Sequence, residues 1–424
     1  MRQLLLAGVL LFPLPSSLFP QTEPGTELTV TLLTFDSGGQ VWERFGHNGI
    51  WIRDARAGTD HLYDYGRFSF EQKNFFLRFA QGKMWYSMGD TNNVEGVVRF
   101  YASEGRKIWA QELDLLPAER LALREMMLEN IRPENAGYAY DYYLDNCSTR
   151  IRDALDRVVG GAIQRYGEAP SGFTWREETR RLNQHNIFLY TGLMIGLGQR
   201  TDRQMSRWEQ MFLPIRFREH LDSVSIAGPD GAVRRLVKTR TVLAEGGRYP
   251  VPDRPADWTF RYLLVGVVIG GLLAGLGGRF GRGAASRRLG VSSSRGAVGA
   301  AAISRYLFLA LATLWMLLAG IAGLVLTWLW GFSTHLAAHR NENLLLFNLL
   351  ALALAVLLPL ALRGRMEKPT RRLALLVVAL AALGLLAKVV PGFSQANLEL
   401  IALVLPVHAG VVAGWPRVRS PEPS

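Results

Sequence analysis

Apolar residues are distributed unevenly along the 424-residue chain, and their spacing divides it into three parts. The first apolar run, Leu4 to Phe12, ends at Pro13 and has the layout of a secretory signal or an N-terminal anchor, which we place at residues 1–20. Residues 21–258 mix polar and apolar positions and are numerous enough for one soluble domain with a sizeable core. Residues 259–424 consist mainly of long apolar stretches, which indicate a membrane domain.

Five stretches in the last part approach the roughly 20 residues that an α-helix needs to cross a bilayer. They are Tyr262–Gly278, Tyr306–Trp330, Leu344–Leu362, Leu373–Val390 and Leu398–Trp415. The connections after the first and the third are rich in arginine, whereas Gly331–Asn343 and Pro391–Asn397 carry little charge. Positively charged loops stay in the cytoplasm. The pattern therefore predicts that the weakly charged loops and the soluble domain lie on the other side of the membrane, facing outward.

The soluble part contains both strand-like and helix-like patterns. Runs of β-branched and aromatic residues predict strands at Leu28–Phe35, Ile50–Arg53, Leu62–Tyr65, Val97–Tyr101 and Ile108–Leu115. A helical pattern runs from Pro117 to about Ile131, and another begins after Asn146 and ends at Gly160-Gly161. We therefore predict an α+β domain in which a helix packs on an antiparallel sheet, followed by an all-α transmembrane bundle.

The net charge of +12 fits this topology, because many of the arginines lie in the two connections that we expect in the cytoplasm. The positive charge therefore requires no nucleic acid partner. The sequence contains no P-loop, zinc-finger or dinucleotide-binding motif. Its only cysteine cannot form an intramolecular disulfide or a thiolate metal cluster, so we expect neither a cofactor nor a metal.

That cysteine, Cys147, lies where an aromatic, turn-prone segment changes into an amphipathic helix. Asn146 is a suitable N-cap, and it places the thiol on the first turn of the helix. The positive end of the helix dipole favours the thiolate, which is the reactive form. Cys147 is therefore a candidate nucleophile. The alternative is a small buried apolar residue without chemistry.

A histidine upstream favours the first interpretation. His47 opens a short strand-like run, and a histidine on a strand facing a cysteine at a helix N-terminus is the usual pairing of base and nucleophile in thiol enzymes. A third group should orient the imidazole. His61 and Asp64 on the following strand are candidates, and Asp64 is preferred because a carboxylate stabilises imidazolium.

Four short segments stand out together along the chain. They are Phe45-Gly46-His47, then Asp145-Asn146-Cys147-Ser148-Thr149-Arg150-Ile151, then Leu197-Gly198 through Glu209-Gln210-Met211-Phe212-Leu213-Pro214, and finally Ser333-Thr334-His335 through Asn341-Glu342-Asn343-Leu344-Leu345. In this order, on a soluble domain followed by membrane helices, they resemble the Lnb-type lipoprotein N-acyltransferases. The similarity spans most of the chain.

The resemblance implies an enzyme of the bacterial inner membrane with its N-terminal domain in the periplasm. It would take an acyl chain from a phospholipid onto Cys147 and pass it to the N-terminal amine of a diacylglyceryl lipoprotein. The order of histidine and cysteine is also similar to the permuted papain-like fold of the lecithin–retinol acyltransferase group.

Further residues are candidates for substrate binding. Arg150, one turn after Cys147, would reach a lipid phosphate, and Asn146 lies beside the thiol. The resemblance adds His335, Asn341 and Asn343 in the first outer loop, which would position a headgroup or the lipoprotein.

Two other classes of function remain compatible with the sequence. A membrane-anchored cysteine peptidase or cell-wall amidase would use the same pair of residues, but five spans exceed what an anchor needs. A non-enzymatic membrane scaffold or sensor would explain the topology with Cys147 merely buried.

Overall fold

The computed structural model describes residues 23–228, 231–247, 251–288, 295–363 and 365–415. The expected signal or anchor at residues 1–20 lies outside these ranges.

Eleven strands form one large and two small antiparallel sheets in the described part of the chain. The strands are β1 (Leu28–Phe35), β2 (His47–Asp54), β3 (Thr59–Arg67), β4 (Trp85–Thr91), β5 (Ile108–Leu113), β6 (Gly137–Ala139), β7 (Pro170–Thr174), β8 (Gln204–Ser206), β9 (Ser225–Ala227), β10 (Val233–Arg235) and β11 (Val237–Ala244). The large sheet has seven strands in the order β11-β5-β1-β2-β3-β4-β6, so that β2 and β3 lie near its centre. The pairs β9–β10 and β7–β8 form the small sheets.

Fifteen α-helices accompany these strands in the described ranges. Ten precede the membrane region: α1 (Phe75–Gln81), α2 (Val94–Ser103), α3 (Pro117–Asn130), α4 (Pro133–Ala136), α5 (Cys147–Val158), α6 (Ala162–Gly167), α7 (Trp175–Asn183), α8 (Ile187–Gly196), α9 (Arg207–Gln210) and α10 (Pro214–Leu221). Five follow: α11 (Thr259–Arg288), α12 (Arg295–Phe332), α13 (Leu349–Leu362), α14 (Glu367–Leu386) and α15 (Leu398–Ala413). The chain thus combines a sheet-rich α/β domain with a helical C-terminal region.

The alternation of side chains along the strands gives the large sheet two buried faces. On one face, Ile50 and Tyr63 pack with α3 and α5. On the other, Phe35 and Leu62 pack with α2. The strands predicted at Leu28–Phe35 and Ile108–Leu115 are confirmed within about two residues.

The predicted strand at Val97–Tyr101 is wrong, because this segment belongs to α2. The side chain of Asn93 accepts a hydrogen bond from the amide of Gly96 and caps the helix. The β-branched residues that suggested a strand instead form the apolar side of α2 that packs on the sheet, so tertiary packing outweighs their strand preference.

Four helical segments are long and apolar enough to cross a membrane: Thr259–Gly278, Gly299–Phe332, Glu342–Leu362 and Glu367–Val389. The fifth expected span is the shorter helix α15, which has 16 residues. It packs along α11 at glycines, since a Cβ at Gly270 or Gly410 would overlap the backbone of the other helix. The end of α15 still packs against α11 near Gly277, at the end of the first span.

The weakly charged loops contact the sheet domain, as the charge pattern predicts for loops on the same side of the membrane. Asn341 donates hydrogen bonds to the carbonyls of Ile195 and Gly196 at the end of α8, both at 2.9 Å. From the last loop, Gln395 donates to the carbonyl of Leu197 at 3.0 Å. The arginine-rich connection between α13 and α14 lies at the opposite end of α13.

Asn341 and Asn343 therefore occupy a different environment from the one expected of substrate-binding residues. Asn343 is 0% exposed, and its Nδ2 donates to the carbonyls of Met194 and Ile195 at 3.0 Å. Its Oδ1 accepts from Asn397 at 2.8 Å. These bonds satisfy the last carbonyls of α8, which have no partner within the helix. The structure gives both asparagines a role in docking the domain onto the membrane region.

Replacing Asn343 with Ala would leave the buried carbonyl of Met194 without its donor and Nδ2 of Asn397 without its acceptor, whereas the carbonyl of Ile195 keeps its bond from Asn341. We expect the free energy of unfolding to fall by about 1–3 kcal/mol, measured as a lower Tm of the purified protein in detergent. The control is Asn135→Ala, which removes an exposed asparagine bonded to Glu129 and should change stability by about 0.5 kcal/mol or less. An unchanged Tm with lost activity would instead support contact with substrate.

Candidate active site

Cys147 is the first residue of α5, and its position is fixed by the cap before it. Oδ1 of Asn146 accepts hydrogen bonds from the amides of Ser148 and Thr149 at 2.9 and 3.0 Å. Nδ2 of Asn146 donates to the carbonyls of Tyr142 and Phe212, both at 3.0 Å. Asn146 is thus buried, and the polar atoms of its side chain are engaged within the protein, whereas its binding of substrate stays a prediction.

His47 and Asp64 come together because β2 and β3 pair as antiparallel neighbours. His47 begins β2, Asp64 lies near the end of β3, and Gly49 is the residue paired with Asp64. Nε2 of His47 lies 3.0 Å from Oδ2 of Asp64. Cys147 is a further neighbour of the His47 side chain, since the charge of its thiolate form and a hydrogen bond with its side chain both raise the pKa of His47. The two residues of the predicted pair therefore lie together, and Asp64 contacts the imidazole.

The charges around His47 favour its protonated form. Burial alone lowers the pKa of His47. The negative charge of Cys147 and the hydrogen bond to Asp64 raise it by more than burial lowers it, so the pKa lies well above the usual 6.5. The imidazole therefore carries its proton at neutral pH when it faces a thiolate. Thiol enzymes use a charged imidazole of this kind to favour the thiolate of a neighbouring cysteine.

A fourth residue, Arg67, completes the cluster. Its Nε donates to Oδ1 of Asp64 at 2.7 Å, and its Nη2 donates to the hydroxyl of Thr91 at 2.8 Å. The guanidinium lies against Gly89, where a Cβ would overlap it. Arg67 thus fixes the carboxylate whose other oxygen bonds His47. The sequence analysis missed this residue, because its position depends on a bulge at Gly66 and on the register between β3 and β4.

The first turn of α5 also offers a donor for a substrate oxygen. The cap engages the amides of Ser148, Thr149 and Arg150. The amide of Cys147 lies at the positive end of the helix beside the thiol. A backbone N–H in this place suits the negative oxygen of a tetrahedral intermediate.

A cavity of about 450 Å³ opens on the side of His47 where Asp64 lies. Its wall includes Asp64 and Arg67 together with the apolar residues Phe35 and Leu62. The carboxylate end of the cluster is therefore accessible from this cavity. In the described ranges, no group of three or more His, Cys, Asp or Glu side chains is arranged to hold a metal ion.

Comparison with known proteins covers both parts of the chain. The model of the Lnb N-terminal periplasmic domain matches residues 21–181, and the model of the Lnb transmembrane domain matches residues 299–413. The chain belongs to the Lnb family. No curated protein and no solved structure was found to match. The sheet domain of this Lnb-family protein is thus a periplasmic domain, and the helical region is its membrane part.

The match to the Lnb periplasmic domain includes His47, Asp64, Arg67 and Cys147, but two other predicted site residues in that segment lie apart from them. His61 is at the far end of β3, and its Nδ1 lies 3.0 Å from a carboxylate oxygen of Asp90. Of the two candidates for the orienting group, Asp64 therefore contacts His47, whereas His61 contacts Asp90.

Arg150 is paired within the protein. It forms two hydrogen bonds with the carboxylate of Asp145, at 2.6 and 2.8 Å, and its guanidinium lies 3.7 Å from the centre of the Tyr138 ring. A carboxylate already occupies the position expected for a lipid phosphate. Binding of a headgroup by Arg150 stays a prediction, and it would require the pair with Asp145 to open.

His335 in the Lnb transmembrane segment lies close to the turn that precedes Cys147. Its ring stacks on Tyr142 with centroids 5.9 Å apart, and Nε2 donates to the carbonyl of Phe79 at 2.7 Å. The same Tyr142 accepts the hydrogen bond from Asn146. The first outer loop of the membrane region therefore contacts the turn that precedes Cys147.

We expect Asp64→Asn to slow alkylation of Cys147 by iodoacetamide near neutral pH. The change removes a carboxylate that holds the proton on His47, so the pKa of His47 falls, and the rate drops by up to about tenfold for each unit lost. In alkaline solution the thiol ionises without imidazolium, and the two rates should converge. The control Asp60→Asn breaks the exposed pair with Arg53 and should leave the rate unchanged. Identical pH profiles for Asp64→Asn and the native protein would contradict the arrangement.

Arg67 should act by positioning Asp64. We expect Arg67→Gln to slow the same alkylation severalfold at neutral pH, and Arg67→Lys to restore part of the rate, because a lysine keeps the charge but loses the second contact to Thr91. Arg53→Gln, which removes the matching arginine of an exposed pair on the same sheet, serves as the control. A rate for Arg67→Gln equal to that of Arg53→Gln would exclude a positioning role.

Proposed function

We propose that this Lnb-family protein is a lipoprotein N-acyltransferase of the bacterial inner membrane that uses Cys147 as its nucleophile. The observation that carries the proposal is the contact of Cys147, at the start of a capped helix, with the His47–Asp64 pair. Membership of the Lnb family and the position of the site beside the membrane loop at His335 support it.

In the first half-reaction, the thiolate of Cys147 attacks the ester carbonyl of a phospholipid. A carbon–sulfur bond forms, and the amide of Cys147 stabilises the negative oxygen of the intermediate. When the carbon–oxygen bond breaks, the imidazolium of His47 gives its proton to the departing glycerol oxygen. The products are a lysophospholipid and an acyl thioester on Cys147.

In the second half-reaction, the N-terminal amine of a diacylglyceryl lipoprotein attacks the thioester. His47, now neutral, takes a proton from the amine, a carbon–nitrogen bond forms and the carbon–sulfur bond breaks. The thiolate and the imidazolium are restored. A thioester suits this step, because splitting the transfer through a reactive covalent intermediate replaces one difficult displacement with two easier ones.

The membrane region fits substrates that remain in the bilayer. Withdrawing a lipid tail into water costs roughly 0.8 kcal/mol for each methylene. An enzyme for such substrates must hold its nucleophile close to the membrane surface. The contact between the His335 loop and the turn before Cys147 is consistent with this requirement.

The order of the site residues also agrees with the expected fold group. The histidine comes first, on a central strand, and the cysteine follows at the start of a helix packed on the same sheet. This is the order of the permuted papain-like enzymes, and we include that fold in the proposal.

Mass spectrometry of the purified protein tests the thioester directly. We expect an acyl adduct on the peptide that contains Cys147, removable by hydroxylamine, and no adduct in Cys147→Ala. Cys147→Ser should be nearly inactive, because a hydroxyl is a much poorer nucleophile beside an imidazolium. Substantial transfer to a lipoprotein by Cys147→Ala at equal expression would remove the mechanism.

The same experiment separates the alternatives. A peptidase or amidase would release a soluble peptide product and show no fatty acyl adduct. A scaffold or sensor would leave Cys147 unmodified and unreactive toward a thiol probe. An alkylation-reactive Cys147 without an acyl adduct would therefore favour the hydrolase.

A further inference from the structure

Helix α1 exposes an unusually apolar surface for its length. Phe76 is 77% exposed, Leu77 is 52% exposed, and Phe79 is also exposed. Phe70 and Trp42, which lie against the same group of rings, are exposed as well. An apolar patch of this kind on a water-soluble surface usually marks a site of contact with a membrane or a partner.

The hydrogen bonds of α1 place it at the outer end of a membrane helix. Nε1 of Trp328 in α12 donates to the carbonyl of Ala80 at 3.1 Å. The amide of Thr334 donates to the carbonyl of Gln81 at 2.9 Å. Trp328, together with the exposed Trp330 and Phe332, forms an aromatic group at the end of the span. Such groups lie at the boundary between lipid tails and headgroups, so α1 lies at that level too.

The charges near α1 also suit a lipid surface. Lys73 and Lys83 are exposed on either side of the helix, and Arg78 lies within it. Basic side chains around an apolar face are typical of helices that lie in the interface of anionic membranes.

A row of aromatic rings connects α1 with the nucleophile. Phe75 of α1 stacks on Phe68 at 6.1 Å, Phe68 stacks on Tyr86 at 5.0 Å, and Tyr86 stacks on Tyr140 at 4.1 Å. At the end of the row, a Cβ built on Gly66 would lie 3.9 Å from the Tyr140 ring and 3.6 Å from Cβ of Cys147. The row therefore ends beside Cys147.

We propose that α1 enters the outer leaflet and that an acyl chain of a leaflet lipid lies along the aromatic row from Phe75 to Tyr140. We call α1 with this row the lipid lip. The insertion of α1 stands on the geometry above, whereas the acyl chain along the row rests on the proposed function. A chain guided in this way brings its ester carbonyl to Cys147 without leaving an apolar environment.

The first test uses the full chain reconstituted in vesicles of phosphatidylethanolamine and phosphatidylglycerol. The photo-crosslinking residue benzoylphenylalanine replaces Phe76, Phe68 or Leu128 in a Cys147→Ala background, so that no chemistry is required. Leu128 is the control, because it is 43% exposed on α3, which packs on α5 and the sheet. We expect lipid adducts at positions 76 and 68 and none at position 128. No lipid adduct at position 76 would overturn the insertion of α1, and an adduct at 76 without one at 68 would overturn the path along the row.

The second test measures acyl-enzyme formation in the same vesicles. We expect Leu77→Asp to lower the initial rate by about tenfold, which corresponds to about 1.4 kcal/mol, and to leave alkylation of Cys147 by iodoacetamide unchanged. Leu128→Asp is the matched control and should retain the native rate. Equal acylation rates for Leu77→Asp and Leu128→Asp would contradict the lip. If the native protein forms no acyl adduct while position 76 still crosslinks to lipid, the proposed function fails and the insertion of α1 stands.

Discussion

The side-chain amide of Asn146 determines where the thiol of Cys147 can lie. Its oxygen accepts two amides of α5, and its nitrogen donates to the carbonyls of Tyr142 and Phe212, so the group uses its full bonding capacity within the protein. Any displacement of α5 would leave buried polar atoms unpaired, at about 1–3 kcal/mol each. The thiol is therefore held relative to the strands that carry His47 and Asp64, and also relative to the segments that contact the membrane region.

Polar bonds also set the orientation of the periplasmic domain on the helices. Lipid tails are as apolar as leucine, so the hydrophobic effect alone does not select one docking geometry within a bilayer. Here the carbonyls at the end of α8 accept bonds from Asn341, Asn343 and Gln395 of the membrane loops, and from the buried Arg176 of α7. Each bond has a defined direction, which the packing of apolar side chains lacks. The domain is consequently fixed at one angle, with the turn before Cys147 against the first outer loop.

The sequence alone was sufficient to predict those features whose pattern lies within one segment of the chain. The helix that begins at Cys147 follows from its cap and periodicity, and the partnership with His47 follows from residue type. The prediction failed at Val97–Tyr101, where packing on the sheet and the Asn93 cap outweigh local preference. Arg67 acquires its role only through strand register. Asn343 is buried only because it meets Met194, 149 residues away, so no local pattern could reveal its environment.

The close packing of α11 and α15 has a consequence for biogenesis. These are the first and the last of the helices that the structure describes in the membrane region. The loop before α15 supplies Gln395 and Asn397, while the helix itself supplies Glu399, which accepts a hydrogen bond from Tyr190. The translocated domain can fold its sheet as soon as it emerges from the membrane. The part of its docking that involves Gln395, Asn397 and Glu399, however, forms only after residues 395–399 have been synthesised. Docking is thus completed late in synthesis, and a ribosome that stops before residue 395 releases a protein in which Asn341 and Asn343 can contact α8 but the bonds of Gln395, Asn397 and Glu399 are missing.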